Sequence, residues 1–560
     1  MDAGKRTISS IFDRNWHLDI PFFQRSYVWG EEEWERFLGD MYEISDSDQE
    51  FFLGSVILKD ESETIKNKMV IDGQQRLTTL VLFFKVLSLL KGDNNRFDNM
   101  FKTIDDNKSI IRHNKNDRKT FELILNLAIL QEIDNPRNKI EECFNYFKEN
   151  IDADRLDISI LSKRITFVGI YLYEHENEQQ IFDTINSSGV RLTSAELIKN
   201  LLFKTDELDF YKKYWQDIFE KDTETIEYWD ISTDSKDNKN LIDIFLFAFL
   251  QIKSKHLPSH IKKGFNQSVN LFCSYKKLMA YIDDKEVFLQ DMEHYANLFR
   301  KNFNPNIKKE RLSTQMDRIN LIIFEGNLFS IIPYVIFILA ELEQNPDERD
   351  KVLFILESYL IRRMLGIDKG TLIAKDYAEL FGNRLIVGNI ISAKALKIHF
   401  MGYKNTHLHY VPTDNEITYL LKNKSQTQKR ALLVFYLLDN MKRQAQSLEN
   451  LYGFDKYSAD YFMPLKWQKN WSRPLDEQTR QIAVKTLGNM TITPQKLNNA
   501  LKDATWYERV HGKGKMKGLL AHNHLHIAKP ILQKPEWTDD DIFRNNERLA
   551  KLICDVWQLS

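Results

Sequence analysis

Cysteine is the rarest feature of this 560-residue chain, with only Cys143, Cys273 and Cys554. An odd, widely spaced set excludes a disulfide framework and fits a reducing compartment. Glycine (20) and proline (12) are scarce, while phenylalanine (36) and tyrosine (22) are plentiful. That balance favours helices over a turn-rich all-β fold. An excess of either charge is also missing, since 78 Lys and Arg stand against 80 Asp and Glu. With no global basic field, any nucleic-acid contact must come from local patches. No uncharged apolar run reaches membrane-spanning length, and Met1–Arg6 leads into no apolar signal core. A cytoplasmic protein with no membrane partner is expected. The length suffices for several domains with sizeable cores.

What is present centres on residues 69–80. Met69–Ile71 reads as the end of a buried strand and Leu77–Leu90 as a mostly buried helix. Between them, Asp72-Gly73-Gln74-Gln75-Arg76 forms a tight turn. A strand entering a helix this way points free N–H groups outward, and the helix dipole adds positive potential. Arg76 adds a planar fork suited to phosphate. The turn is therefore an anion site for a nucleotide phosphate or a nucleic-acid backbone. The simpler account is a sharp turn whose Arg and Gln cap the helix.

The full string Asp72-Gly73-Gln74-Gln75-Arg76-Leu77-Thr78-Thr79-Leu80 resembles the N-terminal domain of GmrSD-type, modification-dependent restriction endonucleases. The resemblance implies a ParB/sulfiredoxin-like α/β fold whose turn forms a nucleoside triphosphatase site. Pro21-Phe22-Phe23-Gln24-Arg25-Ser26-Tyr27-Val28-Trp29 is an extended segment that resembles the same domain, where its Gln-Arg pair faces the nucleotide turn. Read from the residues alone, that pair is a structural bridge, with Asp72 a natural partner. A third stretch, Asn186-Ser187-Ser188-Gly189-Val190-Arg191-Leu192-Thr193, is explained as helix punctuation, with Thr193 or Ser194 capping the next helix and Glu196 in its first turn. In the family it packs near the nucleotide. The resemblance thus implies nucleotide contacts from Gln24, Arg25, Asp72, Gly73, Gln74, Gln75, Arg76, Thr78 and Asn186. Asp72, Gln75 and Arg76 would serve hydrolysis of GTP or ATP.

The flanking elements read as a helix over 31–44, a strand over 51–58 and a returning strand over 164–172, with charged helices inserted at about 92–164. The run Arg112–Lys119 reads as a basic, solvated surface. Residues 206–425 are helical by their apolar spacing and suggest a spacer and recognition region. Arg362 and Arg363 are read there as helix bridges.

The region from 426 to 560 resembles the family's HNH (His-Me finger) nuclease domain, through Asp460-Tyr461-Phe462-Met463-Pro464, Leu487-Gly488-Asn489 and Leu497-Asn498. The resemblance implies a divalent metal such as Mg at Asp460, Asn489 and Asn498, and a His base. Here that position holds Tyr461, whose unperturbed pKa of about 10 makes a poor base. His522, His524 and His526 alternate and offer a relocated base, although polar surface histidines explain them as well. His511–Gly518 is a flexible basic loop able to meet DNA backbone.

The expected architecture is α+β and predominantly helical. Residues 1–205 form the nucleotide-binding domain, 206–425 the helical region and 426–560 the HNH-like domain. The expected function is an NTP-hydrolysing component of an anti-phage restriction system that senses modified or foreign DNA and relies on a nuclease partner subunit or a homo-oligomer for cleavage. Two alternatives stand beside it: an active HNH endonuclease with a relocated base, and a non-enzymatic, nucleotide-switched DNA-binding scaffold.

Overall fold

The structure is a computed structural model. It describes residues 2–22, 24–60, 67–173, 193–204, 207–233, 239–258, 260–262, 265, 271–366, 377–404, 407–469, 471, 476–494, 504–522 and 525–559. Two compact units divide it, residues 1–216 and 217–560. Most of residues 206–425 and all of 426–560 fall in the second unit. Helices predominate. Among the described residues, no helix is long and apolar enough to cross a membrane.

The first unit is built on a mixed six-stranded sheet ordered β1-β6-β3-β4-β2-β5. The strands are β1 (Asp2–Thr7), β2 (Leu18–Asp19), β3 (Phe51–Asp60), β4 (Lys68–Asp72), β5 (Ile111–Arg112) and β6 (Ile165–Leu172). Strand β3 runs parallel to β6 and antiparallel to β4. Its register against β6 shifts between Phe52 and Ser55, around Gly54. The principal helices are α1 (Glu31–Asp46), α2 (Gln74–Lys91), α3 (Lys115–Leu125), α4 (Lys139–Asn150) and α5 (Ser194–Leu202). Helix α2 is buried continuously from Leu77 to Ser88. A helix apolar on all sides must sit inside a core rather than on its surface. Edge-to-face contacts of Phe83 with Phe37 of α1 and Phe147 of α4 fix it there. Thr193 caps α5 in a capping box with Glu196.

Helices make up most of the second unit. Those used below are α6 (Gln315–Gly326), α7 (Pro346–Gly366), α8 (Gln428–Ala445), α9 (Trp506–His511) and α10 (Asp539–Val556). Strands β7 (Tyr457–Tyr461) and β8 (Met490–Pro494) pair antiparallel, with Asp460 opposite Thr491. Buried charges hold the helices together. Glu357 of α7 accepts from Arg318 of α6 and from the Trp557 indole. Arg362 donates to the carbonyls of Trp557 and Pro412 and pairs with Asp414. Arg363 donates to the Tyr410 carbonyl. Both arginines therefore bridge elements. A Thr538–Asp541 capping box starts α10.

Candidate functional site: a glycine turn and a closed acidic strand

Strand β4 ends at Asp72, and Gly73 turns the chain into α2 with φ 100° and ψ 2°. A side chain at Gly73 would be strained there, and its Cβ would press on Val56 Cγ2 at 3.1 Å. Gly73 has no side chain to cap α2, and among the described residues no side chain accepts from its first N–H groups. Arg76 folds back, with Nη2 3.3 Å from Asp72 Oδ2. Its guanidinium lies over Gly54, whose φ is 120°. A Cβ at Gly54 would run into the head of Arg76, with Cζ 3.2 Å away. Gly54 was not singled out from the sequence. A lone glycine inside a strand pattern is the signal that marks such a bulge and close approach. Burial raises the Asp72 carboxyl above its usual range, against the pull of Arg76, the Gly73 N–H and Arg25.

Residues 24–28 join no strand ladder and are held by side chains instead. Gln24 donates to the Val70 and Ile71 carbonyls at 2.8 and 3.2 Å, so its partner is the β4 backbone rather than Asp72. Gln74 reaches the Arg25 carbonyl at 3.2 Å. Gln75 spans the Ser26 carbonyl (3.2 Å) and the Val28 N–H (2.9 Å). Both ends of the Gln75 amide are thus engaged with backbone. It positions the segment that carries Arg25.

Thr78 is buried, donates to the Gln74 carbonyl at 2.7 Å and lies 3.0 Å from His113 Nε2, so it faces the interior. The run 112–119 is not simply a solvated face. Asn114 caps α3 and donates to the Gln24 carbonyl at 2.9 Å, while Asp117 accepts from the Tyr27 N–H at 2.6 Å. Asn114 and Asp117 are buried because they complete the hydrogen bonds of this irregular backbone, and His113 is buried beside Thr78. Burial lowers the His113 pKa to about 3 and raises that of Asp117 to about 6. Asn186 lies outside the described residues.

In the second unit, Asp460 is buried on β7. Its Oδ2 accepts from Arg509 Nη2 at 2.7 Å and its Oδ1 from the Tyr461 N–H at 2.8 Å. Arg509, which the sequence reading missed, sits on α9 and also donates to the Tyr461 carbonyl. Burial, followed by the Asp460 charge, raises the Tyr461 pKa and keeps the phenol protonated. Asn489 is fully buried. Its amide donates to the Met463 and Val484 carbonyls and accepts from the Met463 N–H and the Trp537 indole. All four of its hydrogen-bonding positions are taken, which corrects the expectation of a metal ligand there. Asn498, Asn523 and His524 lie outside the described residues. Among the described residues, no group of three His, Cys, Asp or Glu is placed to hold a metal. Asp460 and Asn489 as arranged do not fit a divalent ion.

Two stretches of the chain match known domains. Residues 8–203 match the GmrSD restriction endonuclease N-terminal domain. Residues 411–552 match the C-terminal domain of GmrSD restriction endonucleases. No curated protein matched the sequence. The two matches cover more than half of the chain and follow each other in order. They enclose both the Asp72–Arg76 turn and the Asp460 strand, and on that ground the chain belongs to the GmrSD family of restriction endonucleases, the type IV systems of anti-phage defence.

Proposed function

We propose that the Asp72–Arg76 turn binds the phosphates of GTP or ATP, and that the chain hydrolyses the nucleotide as the driving component of a restriction system acting on modified or foreign DNA. One observation carries the reading: an uncapped helix N-terminus behind a left-handed glycine, with Arg76 laid over Gly54 beside it. Arg76, Arg25 and the first N–H groups of α2 are the groups that would hold phosphate. Asp72 orients Arg76 and, with its raised pKa, is the carboxylate suited to take a proton from water. Gln24, Gln74 and Gln75 keep the Arg25 segment against the turn. The triphosphate, as its Mg complex, supplies the phosphoryl group. Purified chain should release phosphate from GTP or ATP, and Arg76→Ala should weaken binding roughly ten- to a hundredfold and lower turnover. Unchanged binding in that variant overturns the assignment.

The same proposal has cleavage depend on a nuclease partner subunit or a second copy of the chain. Its support is chemical. Asp460 is neutralised by Arg509, and Tyr461 holds its proton. A positioned base contributes about 10²–10⁴ in rate, and that factor is missing here. The chain alone should not nick supercoiled plasmid in the presence of Mg and nucleotide. Efficient nicking by the chain alone rejects this part while leaving the nucleotide assignment standing.

A further inference from the structure

Residues 204–410 lie between the two matched domains, and one helix face in this stretch serves neither of the sites above. The helix Ala393–Met401 packs inward through Leu396 and Phe400, with the Phe400 ring stacked on Tyr359 of α7 at 3.9 Å. Lys394, Ile398 and Met401 follow the spacing that keeps side chains on one face of a helix. Lys397 adjoins that stripe, and Lys404 follows the helix end. Ile398 is 63% exposed and Met401 47%, and Lys394 and Lys404 are exposed with them. Among the described residues, none of the three lysines has an ion pair or a hydrogen bond. The neighbouring carboxylates are engaged elsewhere. Glu348 accepts from the Ala393 N–H at 2.7 Å, and Glu379 lies 3.7 Å from Arg384.

The chain after the helix is fixed in place. His399 Nε2 lies 2.9 Å from the Tyr403 hydroxyl, the Tyr403 ring stacks on His407 at 4.3 Å, and His407 Nδ1 accepts from the His409 N–H at 3.1 Å. Lys404 is thereby held beside the helix. Behind these rings, buried Arg363 of α7 donates to the Tyr410 carbonyl at 2.7 Å, and its Nε has no partner among the described residues. Burial, and then the Arg363 charge, lowers the pKa of His409 to about 4. Positive potential therefore reaches this corner from inside the fold as well as from its lysines. A preformed row of unpaired lysines with apolar side chains between them fits a partner that carries charge on two rails and methyl-bearing edges in the groove between, which is duplex DNA. Isoleucine and methionine are the side chains that meet thymine methyl groups or wedge between base steps. A nine-residue helix is about 13.5 Å long and passes about four base pairs. A lipid surface would need the wide apolar face that this helix has already buried.

We propose that the outward face of the helix Ala393–Met401 docks on duplex DNA, with Lys394, Lys397 and Lys404 on backbone phosphates and Ile398 and Met401 against the groove. The proposal rests on the chain acting on DNA and not on the nucleotide assignment, because binding is read without nucleotide. Anisotropy with a short labelled duplex, repeated across a range of salt concentrations, compares the full chain with three variants. The first combines Lys394→Ala, Lys397→Ala and Lys404→Ala, and the second combines Ile398→Ser and Met401→Ser. The third combines Lys276→Ala and Lys277→Ala, an exposed pair on the helix Leu271–Met279. A thermal melt checks that each variant keeps its fold. The first should lower the slope of log affinity against log salt by about 3, close to one counterion for each lost phosphate contact. The second should weaken binding several-fold and keep the slope. The third should bind as wild type does. Absence of DNA binding, an unchanged slope in the first variant, indifference to the second or an equal loss in the third overturns the proposal. It also falls if the first variant alters sedimentation of the chain and leaves DNA binding intact, since the face would then join two copies.

Discussion

The chain uses an aspartate–arginine pair at the end of a strand twice, with opposite outcomes. In the first unit, Asp72 and Arg76 meet through one 3.3 Å contact, and their side chains keep 23% and 17% exposure. In the second, Asp460 and Arg509 meet at 2.7 Å with 12% and 2% exposure, and the arginine is also bound to backbone. Burial raises both carboxyl groups, and a neighbouring guanidinium opposes it in both. The difference lies in spare capacity. Arg76 sits beside a helix end with no side-chain cap and meets Asp72 through one contact, so its pair is the more open of the two. Arg509 spends itself inside the fold, so its pair is structure. An acid and a base in a family motif do not by themselves make a site; what each has left to give decides it.

The largest effect expected from breaking this contrast is at the closed pair. Arg509→Ala leaves a buried carboxylate without its partner, a change that typically costs about 3–5 kcal/mol. Thermal unfolding of the full chain should show a large fall in the stability of the second unit, with nucleotide binding by the first unit retained. A melt unchanged from wild type would mean that the Asp460 pair is not holding the fold together. Arg76→Ala is the mirror experiment. It should cost about 1.5–3 kcal/mol of nucleotide affinity, roughly ten- to a hundredfold, with little change in the melt. A variant that loses stability instead of affinity would make Arg76 a second Arg509.

Gly54→Ala sharpens the open side without touching either charge. The new methyl group displaces the Arg76 head, and the residue must hold a φ of 120° that only glycine adopts easily. Such backbone strain costs on the order of 1–3 kcal/mol. Nucleotide affinity should fall several-fold together with a modest loss of stability, read by calorimetry and a melt on the same sample. Unchanged affinity would show that the Arg76 position over Gly54 is incidental.

The strand–turn–helix at residues 69–90 was legible in the sequence because its signals are local: an apolar run, a glycine at the cap and a long buried helix. The dividing line between open and closed pairs was not legible, because it depends on distant partners. Asp460 and Asn489 read as ligands from their motif, yet Arg509 and Trp537, roughly fifty residues further along, pair with the one and help to saturate the other. The sequence around Gln75 gave no sign that the carbonyl of residue 26 and the N–H of residue 28 would engage both ends of its amide. The charged run at 112–119 read as surface because composition cannot tell that Asn114 and Asp117 are needed by backbone ninety residues earlier. Local pattern gives the element; long-range hydrogen bonding decides which polar residues remain free.

The smallest effect concerns the shell that supports the open pair. Asp117 holds the Tyr27 N–H and lies 3.8 Å from His113. Its carboxyl stands at about 6, against about 3.9 in an unfolded chain. A raised pKa stabilises the fold fully below the unfolded value, and that contribution disappears as pH rises through about 6. His113 works the other way. Burial takes it to about 3 from an unfolded value of about 6.5, so its contribution is present above 6.5 and disappears as pH falls. Between pH 4 and 6 the two slopes oppose each other and nearly cancel. Asp117→Asn keeps an acceptor for the Tyr27 N–H and removes only the carboxyl titration. The His113 slope then stands alone, and the variant should lose stability faster than wild type from pH 6 to pH 4, by on the order of 1–2 kcal/mol. Denaturant melts of both proteins at these two pH values measure it. Parallel losses would mean that Asp117 does not titrate in this window, and that the backbone carrying Arg25 is held by a carboxylate already ionised throughout it.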